Sequence, residues 1–210
     1  MARPPHLGTD GSKGTYAPAY VRLRLASFEK DVRICLTATP LKATSRKTHA
    51  YFPALATCCA FLEHLTALYS GKTIKKLGHG DVAKFAQRFM RQPDYDAEVV
   101  RILFTAFRNP VAHLGIANGV WIDQSGGSER RLTWALHAST RFPVCEIVEE
   151  RGNLVEQPPW PCRHTHRVQI RLGRFAIDLR HAAEHYAKAL PSDPRLLGSF
   201  FKAMDRIYPR

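Results

Sequence analysis

Phe107-Arg108-Asn109-Pro110-Val111-Ala112-His113 stands where an amphipathic helical pattern should run on undisturbed. Proline removes a backbone donor and crowds the preceding turn, so it bends or weakens a helix. Asparagine is a poor helix former because its side chain competes for backbone hydrogen bonds. A segment with only structural duties would place neither beside a histidine. On an ideal helix Asn109 and His113 share a face, while Arg108 lies about 140° away from His113. A bend at Pro110 and the reach of the arginine side chain can bring guanidinium and imidazole to one cleft.

That pair suits phosphodiester chemistry. Imidazole gives or takes a proton near neutral pH. Guanidinium stays charged and binds phosphate oxygens through a fixed fork, which suits charge building up at phosphorus. No metal or other cofactor is needed if the nucleophile is a ribose 2′-hydroxyl. Asn109 can orient the imidazole or hold a phosphate oxygen.

The rest of the chain supplies the setting. Residues 1–16 are rich in Pro and Gly and read as a flexible leader without a secretory apolar core. Residues 17–210 read as a single domain. Apolar residues at helical spacing predict helices from Ala17 to Thr37, Thr48 to Ser70 (Thr48 as N-cap, Gly71 as stop), Asp81 to Arg91 and Asp94 to Leu114. A β insertion over about 118–172 follows. It comprises a hairpin from Val120 to Leu136, a strand at Cys145–Val148 turning at Arg151-Gly152-Asn153, and a strand from His164 to Leu172. Helices return around Leu179 to Leu190 and after Pro194. The expected architecture is mainly α: a helical bundle with a small antiparallel β-sheet inserted between the fourth and fifth helices. No apolar run approaches the roughly 20 residues of a membrane span, so no membrane partner is expected. The odd count of five cysteines, Cys58 and Cys59 adjacent, reads as buried thiols in a reducing cytoplasm.

Net charge is +13 with a pI near 9.9, which favours polyanionic partners. The surplus is uneven. Residues 116–170 carry six basic and six acidic side chains, whereas residues 1–115 carry seventeen against eight. Lys72, Lys75 and Lys76 form a basic loop able to track an RNA backbone, or a simply solvated one. Tyr69, Trp121 and Trp134 are candidate base-stacking groups, though core packing is the commoner use of such aromatics. Glu63-His64 reads as solvent-facing, with a supporting role at the Arg/His pair as the other reading. Cys162, His164 and His166 alternate on one strand face, and Cys145 or His137 can be imagined joining them around zinc. The spacing is not that of a standard zinc knuckle, and no metal site is assigned.

In its Arg108-Asn109-x-x-x-His113 motif near the end of a long helix, the chain resembles the HEPN superfamily. The match covers the motif well and the preceding helices only in general layout. The resemblance implies a helical bundle and a homodimer whose cleft faces two Arg/His pairs. It further implies metal-independent endoribonuclease activity that leaves 2′,3′-cyclic phosphate ends. Arg108 would stabilise the transition state, His113 would act as acid and base, and Asn109 would position. Such proteins serve as toxins or antiphage defence components, and an antitoxin or regulatory partner is then expected. In toxins paired with a nucleotidyltransferase antitoxin, a tyrosine often stands two residues after the histidine; here that residue is Gly115. Non-catalytic members imply the alternative, a module that binds RNA, a nucleotide or a protein. A third reading has Arg108 and His113 merely tying down the helix end.

Overall fold

A computed structural model describes residues 13–37, 50–90, 94–108, 120–125, 127, 129–154 and 162–208, the side chains of residues 108, 153, 154 and 162 excepted. The protein is mainly helical, with one four-stranded mixed sheet. Helix α1 spans Lys13–Thr37, α2 Tyr51–Ser70, α3 His79–Phe89 and α4 Ala97–Ile102. Strands β1 (Trp121–Asp123), β2 (Arg130–His137), β3 (Cys145–Leu154) and β4 (Cys162–Arg171) follow, then α5 (Leu172–Ala189) and α6 (Pro194–Ile207). One apolar core runs from Ala17 to Met204 and takes in side chains from both helices and sheet.

Helix α2 is the hub. It is apolar nearly all round and packs on α1, α3, α5 and α6. Such a helix is buried because no face is suited to water. By length and a mean hydropathy of 1.2 it is apolar enough to cross a membrane, contrary to expectation, yet 61% of it is buried inside the protein. It closes at Gly71, whose φ of 67° places it in the left-handed region. Its start departs from the sequence reading: Tyr51 is the first helical residue and Ala50 precedes it without a side-chain cap. Thr48, the expected cap, lies outside the described residues.

Helix α1 starts four residues earlier than the sequence suggests, so the expected leader is too long at its end. Tyr16 holds the extra turn by packing on Tyr20 and Phe201, each with ring centroids 6.2 Å away. Helix α3 also starts early, at His79. Asp81 is not its first residue but sits one turn in, where its carboxylate accepts from the Gly78 N–H at 3.0 Å. Helix α6 follows the pattern: the Asp193 carboxylate accepts from the N–H groups of Arg195 and Leu196, and Pro194 occupies the first turn.

The sheet has the order β1-β2-β4-β3. The expected β1–β2 hairpin is present, with Trp121 opposite Leu132. The sheet is not purely antiparallel, however, because β4 runs parallel to β2, Leu132 facing His166. Burial explains the exchange of places. Val168 and Ile170 of β4 are fully buried, so β4 takes the interior and leaves the more polar β3 at the edge. Arg151-Gly152-Asn153 is not a turn either. It lies within β3, after an irregularity between Glu149 and Gly152. Glycine is required there for space, since a Cβ at Gly152 would come within 2.9 Å of the His164 ring.

Candidate functional site

The helix leading to Arg108 is not regular. The Asp96 side chain caps α4 by accepting from the Val99 N–H at 2.8 Å. After Ile102 the chain widens into a π-helix, Leu103–Arg108, instead of the α-helix expected to continue to Leu114. Widened turns of this kind occur frequently at functional sites. Leu103, Phe104, Ala106 and Phe107 are buried, which anchors the widened turn to the core. Phe107 packs edge-on against Trp134, and Trp134 against Phe52. The Arg108 backbone ends this π-helix. Its side chain, and all of Asn109 and His113, lie outside the described residues, so no distance relates the three.

What surrounds this helix end is described. A cavity of about 370 Å³ is lined by Glu63 of α2, by Ile74, Lys75, Leu77 and Gly78 of the following loop, by His79 and Val82 of α3, and by Phe104 of the π-helix. The His79 and Phe104 rings lie 6.2 Å apart. Glu63 is 9% exposed, which corrects its reading as a solvent-facing residue. It is the sole formally charged residue in the twenty of α2. On a helix apolar nearly all round and packed on four others most positions are interior, and that was the signal available in the sequence.

His64, next in line, also turns inward. Its Nε2 lies 3.4 Å from the Tyr20 hydroxyl, which in turn is 3.3 Å from the Tyr208 hydroxyl. Burial, with Arg24 nearby, lowers its pKa to about 4, so the ring is neutral at physiological pH. This group is closed on itself and faces α1 and α6, away from the cavity.

The basic loop is divided. The Lys72 ammonium is 2.7 Å from Asp81 and holds that carboxyl below its ordinary pKa, together with the Gly78 N–H. Lys75 and Lys76 sit on a 3-10 turn, Ile74–Lys76, and are exposed, with Lys75 at the cavity. The aromatic candidates are half-buried and pack on the core. Tyr69 packs edge-on against Phe85, Phe89 and Tyr186, and Trp121 lies under the Arg101 guanidinium at 5.3 Å.

The imagined zinc set does not assemble from the residues described. His166 faces Leu132 and Glu149 across the sheet, whereas Cys145 lies opposite Ile170, further along β4. His164 is buried beneath Gly152. Among the described residues no group of three or more His, Cys, Asp or Glu is placed to hold a metal ion; the Cys162 side chain is not among them. Cys58, Cys59 and Cys145 are buried, and burial pushes the Cys145 thiol up to about 12.

Compared with family models, with curated proteins and with solved structures, the chain matches none.

Proposed function

We propose that this protein is a HEPN-type endoribonuclease that works without a metal ion, acting as a cytoplasmic homodimer in a toxin or antiphage defence role. The observation that carries the reading is the π-helix Leu103–Arg108. It runs directly into Arg108-Asn109-x-x-x-His113 and borders a cavity with a buried acid and a basic rim. The net charge of +13 favours an RNA substrate over a neutral one.

In the proposed reaction His113 takes the proton from a ribose 2′-hydroxyl. The 2′-oxygen then bonds to phosphorus as the bond from phosphorus to the 5′-oxygen breaks. A protonated imidazole, supplied by the second protomer across the cleft, gives its proton to the departing 5′-oxygen. Arg108 neutralises the charge on the phosphoryl oxygens, and Asn109 orients the imidazole. The products are a 2′,3′-cyclic phosphate and a 5′-hydroxyl, so no oxidant or cofactor enters the balance.

The test is cleavage of single-stranded RNA by purified protein in the presence of EDTA. His113→Ala and Arg108→Ala should each lower the rate by about 10²–10⁴-fold while melting as the parent does. Cleavage that survives His113→Ala, or that stops on chelation, refutes the proposal. RNA binding without cleavage would identify a non-catalytic HEPN-like module in its place.

A further inference from the structure

The cavity beside the π-helix has a particular set of groups left to offer. Glu63, in its wall, already interacts within the protein, so its carboxylate is not among them. Phe104 and Val82 supply a buried apolar floor, and Ile74, also in the lining, is 40% exposed. The His79 ring stands 6.2 Å from the Phe104 ring, at an interplanar angle of 59°. Lys75 is exposed beside them, and its ammonium has no ion-pair partner among the described residues, whereas Lys72 is spent on Asp81. At about 370 Å³ the space suits a small molecule or one residue of a polymer.

Apolar walls carrying two rings call for a flat, partly apolar body, and an unpaired ammonium on the same rim calls for an anion attached to it. A nucleotide unites the two. Every base has a π-face, so stacking on side-chain rings holds a strand whatever its sequence, while lysines follow its phosphates. Position adds a further argument. Phe104 precedes Arg108 by about one turn of the π-helix, so a group resting on Phe104 is a near neighbour of the phosphate assigned above to Arg108. We propose that this cavity is a subsite for one nucleotide of a single-stranded RNA substrate, next to the scissile phosphate, with the base against His79 and Phe104 and its own phosphate on Lys75. The choice of RNA rests on the function proposed above. The choice of a nucleotide subsite rests on the two rings and the unpaired ammonium.

The test is an NMR titration of the full chain with AMP, UMP, adenosine, uridine and inorganic phosphate at low salt. Both nucleotides should bind roughly fivefold or more tightly than their nucleosides and than phosphate. Lys75→Glu and His79→Ala change exposed side chains, so folding is not at stake. Lys75→Glu should weaken the nucleotides roughly fivefold and leave the nucleosides unchanged, whereas His79→Ala should weaken nucleotides and nucleosides alike. 2′-O-methyl hexa-adenylate, which lacks the attacking hydroxyl, should displace AMP from the wild type. No binding of either nucleotide, phosphate held as tightly as AMP, or affinities untouched by both variants overturns the inference. A hexamer that leaves AMP in place overturns it too, since the occupant is then a free nucleotide and not a strand. Nucleotide binding with these signatures in a protein that cleaves no RNA would refute the catalytic proposal and leave the subsite standing. RNA cleavage by a protein whose cavity takes no nucleotide would do the reverse.

Discussion

Two buried acids divide the molecule. At the seam between α4 and the sheet, Asp123 is 1% exposed and enclosed by its own partners: the guanidiniums of Arg101 and Arg130 and the N–H and hydroxyl of Ser125. Arg130 also reaches Glu98. At the α2–α3 side, Glu63 is buried at 9% exposure and lines a cavity. Charge that closes upon charge within the chain ties elements together. Glu63 lines a space large enough for a small molecule. Tyr95 and Arg174 around Asp178 form a second closed knot, fixing the loop before α4 to α5.

The largest effect should come from opening the closed seam. Asp123→Ala leaves two guanidiniums facing each other across the α4–β1 junction without their shared carboxylate. Removing one partner from a buried charge network costs about 3–5 kcal/mol, and the partial exposure of both arginines points to the lower end. Urea denaturation should therefore show a loss of about 3 kcal/mol. A loss under about 1 kcal/mol would mean that the seam is a surface ion pair and that the contrast with Glu63 is empty. The partners hold the Asp123 carboxyl far below the ordinary carboxylate range. Its stabilising contribution is thus full above pH ~4 and declines only under stronger acid.

A second effect, somewhat smaller, lies one residue from Glu63. His64 has a folded pKa of about 4 against roughly 6.5 when unfolded. Between those values the unfolded chain binds more protons, so stability must rise with pH across that window and fall as acid is added. The contribution is complete above pH ~6.5 and lost by pH ~4, amounting to roughly 2 kcal/mol after allowance for the partial exposure of the ring. His64→Phe keeps a ring against Tyr20 and should flatten the curve of melting temperature against pH over that interval. An unchanged curve would show that His64 is solvated in the folded protein, like an ordinary surface histidine.

The sequence revealed the two kinds of region unequally. Helices α2, α3, α5 and α6 were legible in outline because their apolar spacing and boundary signals, Gly71 as a stop and Pro194 in a first turn, act within a few residues, although α5 begins at Leu172, where a strand was expected to end. The parallel β2–β4 pairing was not, since it depends on which of two strands buries better against distant helices. Gly152 was misread as a turn because the imidazole that demands its small size lies twelve positions on. At the candidate site the motif stood out in the sequence, but Glu63, His79 and Phe104 come from three separate elements. Their meeting at one cavity is a property of packing that no local spacing encodes.

The smallest effect separates the lysines of one loop, which the sequence could only treat alike. Lys72 is held by Asp81, and an ion pair with its cation this exposed is worth a few tenths of a kcal/mol to roughly 1. Lys72→Ala should accordingly lower stability by about 0.5 kcal/mol and leave RNA affinity nearly unchanged, because its charge is already spoken for. Lys75→Ala and Lys76→Ala should do the opposite. Neither ammonium has an ion-pair partner among the described residues, so either can meet a phosphate by displacing only water and counterions. Each contact with single-stranded RNA adds about 0.7 to the slope of log affinity against log salt. The double variant should therefore lower that slope by about 1.4 with melting unaltered, as read from binding isotherms at several salt concentrations. If Lys72→Ala lowers the slope as much as either neighbour, the division of the loop is wrong and all three lysines face the polyanion. If none of the three alters it, the RNA path lies elsewhere on the basic surface, and Lys75 marks only the rim of the cavity.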